Sequence, residues 1–289
     1  MRKIRIYLVF ILLFFSANSV FGSDCLKISF LDVGEGDAIL ITTPKGKSIL
    51  IDTGNLITGF RVAEYLKMNN IKKLDYLIFT HSDPDHIGGS FFILQMLKVK
   101  NIYDNAEDLT YLAKSSDIYR WYGQLVRKST NYRILRAKDA LFIDGVVLNV
   151  LWPSQKLAFG DSNNNSIVIM LEFGKFRCLL TGDLGIDGER RILIEQGVKL
   201  KADILKVGHH GASDATCDNF LNKVSPKIAI ISVNSGNIHG YPSQDTIDRL
   251  KQKRVILYRT DKQGDIILSI HQLRDNNFGV RKEGILIEG

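Results

Sequence analysis

Residues 77–89 read LIFTHSDPDHIGG, and this stretch indicates both the fold and the chemistry of the chain. An apolar run typical of a buried strand leads directly into His81, Asp83, Asp85 and His86, so four metal-capable side chains fall within six residues. A loop of this kind can turn imidazoles and carboxylates onto one point, as a metal site requires. The alternative is a solvated acidic turn with incidental histidines, which this concentration of ligand types disfavours.

Three further loops carry polar residues directly after apolar runs that predict strands. Asp52 follows one of them, Asp183 follows another, and the pair His209 and His210 follows a third. Each is an ordinary junction when taken alone, and a purely structural turn role is an equal alternative for Asp52. Together with the first loop they predict polar side chains that project from the same end of a sheet.

Composition excludes several classes of protein. Hydrophobic residues make up 45% and charged residues 24% of the 289 residues, which is typical of a globular protein and not of a disordered, collagen-like or polytopic membrane chain. Three cysteines are too few for a disulfide framework. The net charge of +7 favours an anionic partner only weakly, because the basic residues are scattered. Short β-rich runs alternate with helical patterns in both halves, which predicts an α/β protein with two sheets and helices outside them.

The first 22 residues predict a targeting segment. Basic residues precede an apolar run at 6–15, which as a helix would reach only about half-way across a bilayer core. We expect a signal peptide cleaved after Gly22, with Ser19 as the alternative position. The mature chain of residues 23–289 would then be exported, periplasmic or extracellular, with no membrane span. An uncleaved anchor is a second interpretation, and a lipid anchor on Cys25 is disfavoured because an acidic residue precedes it.

The motifs together carry a resemblance to a known family. They resemble the metallo-β-lactamase superfamily, whose hallmark loop reads His-x-His-x-Asp-His, and within it the hydrolase-like domain of the ComEC family of DNA-uptake proteins. The resemblance implies a four-layer αββα sandwich over residues 23–289. It spans roughly residues 26–270 and rests on four segments: DVGEGDA at 32–38, HSDPDH at 81–86, TGD at 181–183 and KVGHHG at 206–211.

The same resemblance implies roles for individual residues, with one or two divalent ions, zinc or manganese, as the cofactor. The first ion would be held by His81 and Asp83, and the second by Asp85, His86 and His209. Asp183 would bridge the two ions. The resemblance places His210 against the substrate or just outside the ligands, because His209 is nearer the strand end. Three other residues would lie close to the ligands without binding an ion: Asp52, which would orient them by hydrogen bonding, Asp37 at the rim of the cleft, and Asn164.

Several positions depart from the family pattern. Asp83 stands where the superfamily has its second histidine, and only amides, at 163–165, are available where the third is expected. Glu35 replaces a usual glutamine, and Tyr241 stands where a Gly-His-Pro segment would place a histidine, with His239 two residues earlier. Fewer nitrogen ligands make the first site harder, which suits manganese or magnesium better than zinc. We therefore expect a tight second site and a weak, exchangeable first site.

The function that this resemblance implies is an exported metal-dependent hydrolase. Its most favoured form is a phosphodiesterase or nuclease that acts on DNA through a metal-bound hydroxide. Catalytic roles would fall to Asp85, Asp183, His210 and His239, with Lys206 and Tyr241 as further candidates for substrate contact. The alternatives are a cell-envelope phosphoesterase resembling the phosphorylcholine esterases, another hydrolase, and an inactive metal-bound binding module. A β-lactamase is disfavoured because histidines of those enzymes are missing. The partner would be an anionic substrate, DNA or an envelope phosphodiester, and the oligomeric state is left open.

Overall fold

The computed structural model describes residues 25–196, 200–272, 278–282 and 285–288. The predicted signal peptide at 1–22 lies outside the described residues. Within the described part of the chain, no helix has the length and apolar character needed to cross a bilayer.

The described residues form strands and helices in alternation through most of the chain. The strands are β1 (Cys25–Phe30), β2 (Ile39–Thr42), β3 (Ser48–Ile51), β4 (Lys73–Leu74), β5 (Tyr76–Ile78), β6 (Lys98–Val99), β7 (Ile102–Asp104), β8 (Tyr132–Ile134), β9 (Ala140–Ile143), β10 (Val146–Trp152), β11 (Val168–Phe173), β12 (Phe176–Leu180), β13 (Ile204–Lys206), β14 (Ile228–Ile231), β15 (Ile256–Arg259), β16 (Ile266–Gln272), β17 (Phe278–Lys282) and β18 (Ile285–Glu288). The α-helices are α1 (Gly59–Met68), α2 (Pro84–Ile87), α3 (Ser90–Met96), α4 (Leu112–Ser115), α5 (Asp117–Tyr122), α6 (Ile186–Gln196), α7 (Asp218–Val224), α8 (Gln244–Gln252) and α9 (Thr260–Gln263). Short helical turns lie at Gly123–Arg127, Asn163–Asn165 and His209–Gly211.

Two large sheets organise these strands. The first has the order β18-β17-β16-β1-β2-β3-β5-β7-β8, and the second has the order β15-β14-β13-β12-β11-β10-β9. In each sheet one half is antiparallel and the other is parallel, with β3-β5-β7-β8 parallel in the first and β12-β13-β14-β15 parallel in the second. Central parallel strands are covered on both faces, which explains why β3, β13 and β14 are buried along their whole length.

The core lies between the two sheets and under the helices on either side. Isoleucines such as Ile28 of the first sheet and Ile169 of the second pack in one cluster between the sheets. The opposite face of the first sheet packs against α1 and α3, and that of the second sheet packs against α6, α7 and α8. The predicted four-layer αββα arrangement is therefore confirmed.

Candidate metal centre

The metal-capable side chains meet where parallel strands of both sheets end. Asp52 follows β3, and residues 81–86 follow β5 of the first sheet, whereas Asp183 and His210 follow β12 and β13 of the second. The Ile167 N–H donates to the Thr80 carbonyl at 2.8 Å, which joins the two sheets at this edge. Parallel strands place their carboxyl ends on the same side of a sheet, so the loops that follow them converge there.

Four of these residues form the central cluster, which we define as Asp85, His86, Asp183 and His210. One ligand atom from each lies within 4.8 Å of those of the other three. The Asp183 carboxylate oxygen Oδ2 lies 3.2 Å from His86 Nε2 and 3.0 Å from His210 Nε2. His210 Nε2 is also 3.3 Å from Asp85 Oδ2. Asp183 is thus the carboxylate that the two imidazoles share.

Hydrogen bonds at Nδ1 orient both imidazoles of the central cluster. His86 Nδ1 donates to Asp52 Oδ2 at 2.9 Å, and His210 Nδ1 donates to the Ser232 carbonyl oxygen at 2.9 Å. A hydrogen bond at Nδ1 leaves Nε2 as the atom with a free lone pair, which is the usual arrangement of a metal-binding histidine. The sequence predicted an orienting role for Asp52, and the structure gives it this contact.

Thr80 extends the same support to His81. Thr80 Oγ1 donates to Asp52 Oδ2 at 2.7 Å and lies 3.0 Å from His81 Nδ1, so it accepts the proton of that nitrogen. The Thr80 N–H donates to the other Asp52 oxygen at 2.8 Å. Asp52 is fully buried, so a single buried carboxylate orients His86 directly and His81 through one hydroxyl.

The buried polar atoms that lack a partner are what a bound cation would satisfy. Within the described residues, Nε2 of His81, His86 and His210 is buried and makes no well-aligned hydrogen bond despite the nearby carboxylates, and Oδ1 of Asp183 is buried without a hydrogen-bond partner. Unsatisfied buried polar atoms are costly and need an explanation. Three imidazole nitrogens facing carboxylates are a ligand set suited to zinc or manganese, and the residues present therefore fit a divalent metal.

Charge in the central cluster shifts the titration of its members. Burial opposes protonation of the His86 imidazole, but the carboxylates of Asp183, Asp52 and Asp85 outweigh burial and hold its pKa well above the usual range. Burial likewise opposes protonation of His210, and Asp183 and Asp85 nevertheless raise its pKa to about 10. Burial would raise the pKa of Asp183, yet the two imidazoles hold it well below its usual value. The raised pKa of both imidazoles means that a cation binding here would compete with protons for the same nitrogen atoms.

A second, smaller set of donors lies beside the central cluster. The rings of His81 and His86 are 4.1 Å apart between centroids, and His81 Nε2 lies 3.7 Å from Asp83 Oδ2. The Ser162 hydroxyl donates to the other carboxylate oxygen of Asp83. The structure thus keeps His81 and Asp83, the predicted ligands of the first ion, next to each other. These two residues offer fewer donor atoms than the four residues of the central cluster.

Glycine is required at one point next to these ligands. Gly36 has a φ of +104°, and a Cβ atom added there would lie 1.9 Å from the Asp85 carbonyl oxygen. A side chain would therefore displace the turn of α2, where Pro84 at the first helical position begins the backbone that carries Asp85 and His86. The close approach gives a physical reason for the second glycine in the segment at 32–38.

The structure corrects the predicted position of His209. Both His209 and His210 have left-handed backbones, with φ of 45° and 50°, and this turn directs His210 towards Asp183. The His209 side chain is 21% exposed; its Nδ1 lies 3.6 Å from Asp214 Oδ1, and its Nε2 lies 3.4 Å from Asn163 Nδ2. The structure therefore brings His210 into the central cluster and leaves His209 beside it.

Asp37 and Lys206 also differ from their predicted surroundings. Lys206 Nζ lies 2.9 Å from Asp37 Oδ2, and the side chains are 0% and 1% exposed. Lys206 Nζ also donates to the Val207 carbonyl at 2.8 Å. Asp37 is therefore not at the rim of the cleft, and Lys206 is fully buried with its ammonium group directed to Asp37 and to the Val207 carbonyl. Asp37 lies near Asp52 and His86, but its charge is already paired.

The amide run at 163–165 also lies differently from the prediction. Asn164 Oδ1 accepts from the Gly188 N–H at 2.8 Å, so this side chain is directed to the start of α6 and not to the ligands. Asn163 is the member that contacts His209. Two further residues at the site were not predicted from the sequence: Ser162, which donates to Asp83, and Ser166, whose hydroxyl accepts from the Asp183 N–H at 3.1 Å. Nothing in their sequence context marks these serines.

His239 lies at the surface beyond the cluster. Its side chain is 51% exposed, and its Nε2 lies 3.3 Å from Glu35 Oε1. Its ring stacks on that of Tyr241, with centroids 5.3 Å apart. His239 is not among the residues that the structure brings together at the central cluster, and its catalytic role stays a prediction.

Comparison with known proteins agrees with this geometry. Residues 31–235 match the family model of the metallo-β-lactamase superfamily. ComE operon protein 3 of Bacillus subtilis (strain 168) is 31% identical over 263 residues, covering 83% of this chain and 32% of that protein. Recombination protein 2 of Haemophilus influenzae is 33% identical over 254 residues, covering 86% and 29%. The chain spans about a third of the length of these curated relatives, and they confirm the resemblance to the ComEC family.

Among solved structures, CmlA, a diiron β-hydroxylase from Streptomyces venezuelae, has a TM-score of 0.52 to this chain. The two share 13% sequence identity, and the match covers 82% of this chain and 53% of CmlA. At this level of identity the likeness shows a shared fold and nothing about activity.

Proposed function

The chain belongs to the metallo-β-lactamase superfamily, and from this premise we propose that it is a metal-dependent phosphodiesterase that cleaves DNA. The observation that supports the proposal best is the pair of adjacent donor sets. His86 and His210 share the Asp183 carboxylate in the central cluster, and His81 and Asp83 lie next to them. Hydrolases that act on phosphodiesters use such neighbouring cation sites to bind the attacking and leaving oxygens.

The roles of the residues follow from their contacts. Asp85, His86, Asp183 and His210 would hold the more tightly bound cation, and His81 and Asp83 would hold a weaker one next to it. A bound divalent cation, zinc or manganese, would polarise the phosphodiester and lower the pKa of a water molecule at the site. Asp52 would keep His86 and His81 in the productive orientation throughout.

DNA is the proposed substrate because of the relatives and the charge of the chain. The relatives are proteins of competence and recombination by name, among them Competence protein ComA of Neisseria gonorrhoeae, 28% identical over 240 residues. The net charge of +7, of which Arg2, Lys3 and Arg5 in the segment at 1–22 supply three, adds only weak support for a polyanion. We also propose, from the basic and apolar segment at 1–22, that the protein acts outside the cytoplasm. The mass of the secreted protein tests this second proposal, since cleavage after Gly22 leaves residues 23–289.

The proposal is tested with supercoiled plasmid DNA and manganese. The purified protein should nick and linearise the plasmid, chelation should abolish the reaction, and Asp183→Asn should lower the rate at least about a hundredfold, because the variant loses the charge that both imidazoles face. Circular dichroism of the variant shows whether the fold is kept. Equal cleavage by the variant would assign the activity to a contaminant. Hydrolysis of a small phosphodiester dye with no cleavage of DNA would favour an envelope phosphoesterase instead.

A further inference from the structure

A row of three flat side chains leads outward from the central cluster. We define this ring row as His209, Tyr241 and His239. His209 lies next to His210 of the cluster, with ring centroids 6.3 Å apart. The Tyr241 ring lies 5.3 Å from that of His209 at an interplanar angle of 63°, and the His239 ring lies 5.3 Å from Tyr241 at 22°. The ring row thus connects the candidate metal centre to the surface.

The side chain of Asn237 holds the backbone of Tyr241 in place in this row. The Asn237 side chain accepts from the Tyr241 N–H at 2.8 Å and donates to the Tyr241 carbonyl at 2.7 Å. The same Nδ2 donates to the Asn234 carbonyl at 2.7 Å, which ties the amide to its own loop. A binding surface that is ordered in advance loses less entropy when a ligand binds.

The loop of the ring row is also fixed against the loop of the metal-site histidines. The Ser243 N–H donates to the Gly211 carbonyl at 2.8 Å. A Cβ atom on Gly211 would lie 2.6 Å from Pro242 Cβ, so the two loops are in close contact and leave no room for a side chain there. The distance between the ring row and the central cluster is therefore set by the fold.

The outer end of the row is open. Half of the His239 side-chain surface is exposed, and Glu35 holds its Nε2 at 3.3 Å. Because Tyr241 and His239 are nearly parallel, another flat group added to His239 would continue the stack. An aromatic surface of this kind accepts nucleobases in general, since every base has a π face.

We propose that the ring row is a stacking surface for the nucleobase next to the phosphodiester that is cleaved. This inference rests on the proposed function and names the feature of the DNA that is recognised, a base unstacked from its neighbours at the cleaved linkage, as in a single strand or a locally unpaired duplex. A quaternary ammonium such as choline is the competing ligand, and it is recognised by several ring faces surrounding one point. Successive rings here contact one another directly, and the nearly parallel pair of Tyr241 and His239 has a half-exposed outer member, which favours a flat base stacked on that pair.

The test measures binding and not cleavage, so that it stands apart from the proposed function. A fluorescein-labelled single-stranded oligothymidylate and an abasic oligonucleotide of the same length are titrated with protein in a chelating buffer, and the anisotropy is followed. Tyr241→Ala and His239→Ala should each raise the Kd for the base-bearing strand about fivefold to 150-fold, the range given by base stacking on an aromatic side chain. Tyr241→Phe and His239→Phe keep a flat ring and should bind within about twofold of the unchanged protein.

Two controls make the result specific. Ile238→Ala changes a residue of the same loop that is 92% exposed, and it should leave both affinities unchanged. The abasic strand should bind all variants alike. The inference is overturned if the unchanged protein does not distinguish the two strands, or if the alanine variants lose the same factor for both. Displacement of the strand by phosphorylcholine, with that displacement lost in the alanine variants, would overturn it in favour of an ammonium ligand. Failure of manganese-dependent cleavage with these binding differences intact would refute the proposed function alone.

Discussion

Replacement of Lys206 by methionine should destabilise the protein strongly, because the change leaves the buried Asp37 carboxylate without its nearest counter-charge. The two charged groups are 2.9 Å apart, and their side chains are 0% and 1% exposed. Methionine keeps most of the apolar stem of lysine and removes the ammonium. Loss of one partner of a buried ion pair costs about 3–5 kcal/mol. For a chain of this size that corresponds to a thermal midpoint lower by roughly 6–20 °C.

Urea unfolding of the metal-free protein at fixed pH measures this loss. Lys47→Met is the matched control, because Lys47 lies 3.3 Å from Asp75 but is 41% exposed, and exposed pairs contribute less than about 1 kcal/mol. The double variant with Asp37→Leu and Lys206→Met removes both charges and should recover at least about 2 kcal/mol of the loss. Equal losses in Lys206→Met and Lys47→Met, or a double variant no more stable than Lys206→Met, would refute the reasoning.

Three further predictions concern the metal centre and its surroundings. His210→Ala should weaken manganese binding, measured by calorimetric titration, at least about tenfold. His209→Ala should change the same affinity less than about threefold. Equal losses in the two variants would contradict the placement of His210 in the central cluster. Burial raises the pKa of Glu189 to about 7 from a usual value of 4.5. The folded state therefore binds the carboxyl proton of Glu189 more tightly than the unfolded state does. The stability that this proton contributes is lost as the pH rises from 4.5 to 7. Relative to Glu189→Gln, the free energy of unfolding should therefore fall by about 3 kcal/mol between pH 4.5 and 7.5, and a difference that is constant with pH would count against this. Gly36→Ala should lower the thermal midpoint much more than Gly46→Ala. Both glycines have positive φ, but only at Gly36 would the added Cβ lie 1.9 Å from a carbonyl oxygen, that of Asp85, whereas at Gly46 it would meet nothing within 4 Å. Equal midpoints would show that the loop adapts.

The general location of the metal centre could be predicted from local sequence. Apolar runs that end in Asp52, His81 and Asp183 predict strands followed by polar loops, and strand ends at one edge of a sheet meet in space. The structure brings these residues together as expected, with Asp183 3.2 Å from His86. The same alternation of strands and helices predicts two sheets between layers of helices.

The choice between neighbouring residues could not be predicted in this way. His209 and His210 are the same residue type one position apart, and their directions depend on two left-handed backbone conformations and on the Ser232 carbonyl that accepts from His210. The direction of Asn164 depends on the start of α6, whose Gly188 N–H needs an acceptor. These side-chain directions are set by contacts with distant segments, so the adjacent sequence does not predict them.

The amino-acid sequence by itself determined the layers, the strand ends and the kinds of metal-ligating side chains, because periodicity and local composition act within a few residues. Only the tertiary structure decided which histidine of a pair meets Asp183 and that Asp37 and Lys206 form a buried ion pair. The physical reason is that burial and charge pairing depend on residues far apart in the chain. A carboxylate in one loop is paired only when a separate strand brings an ammonium group within hydrogen-bonding distance.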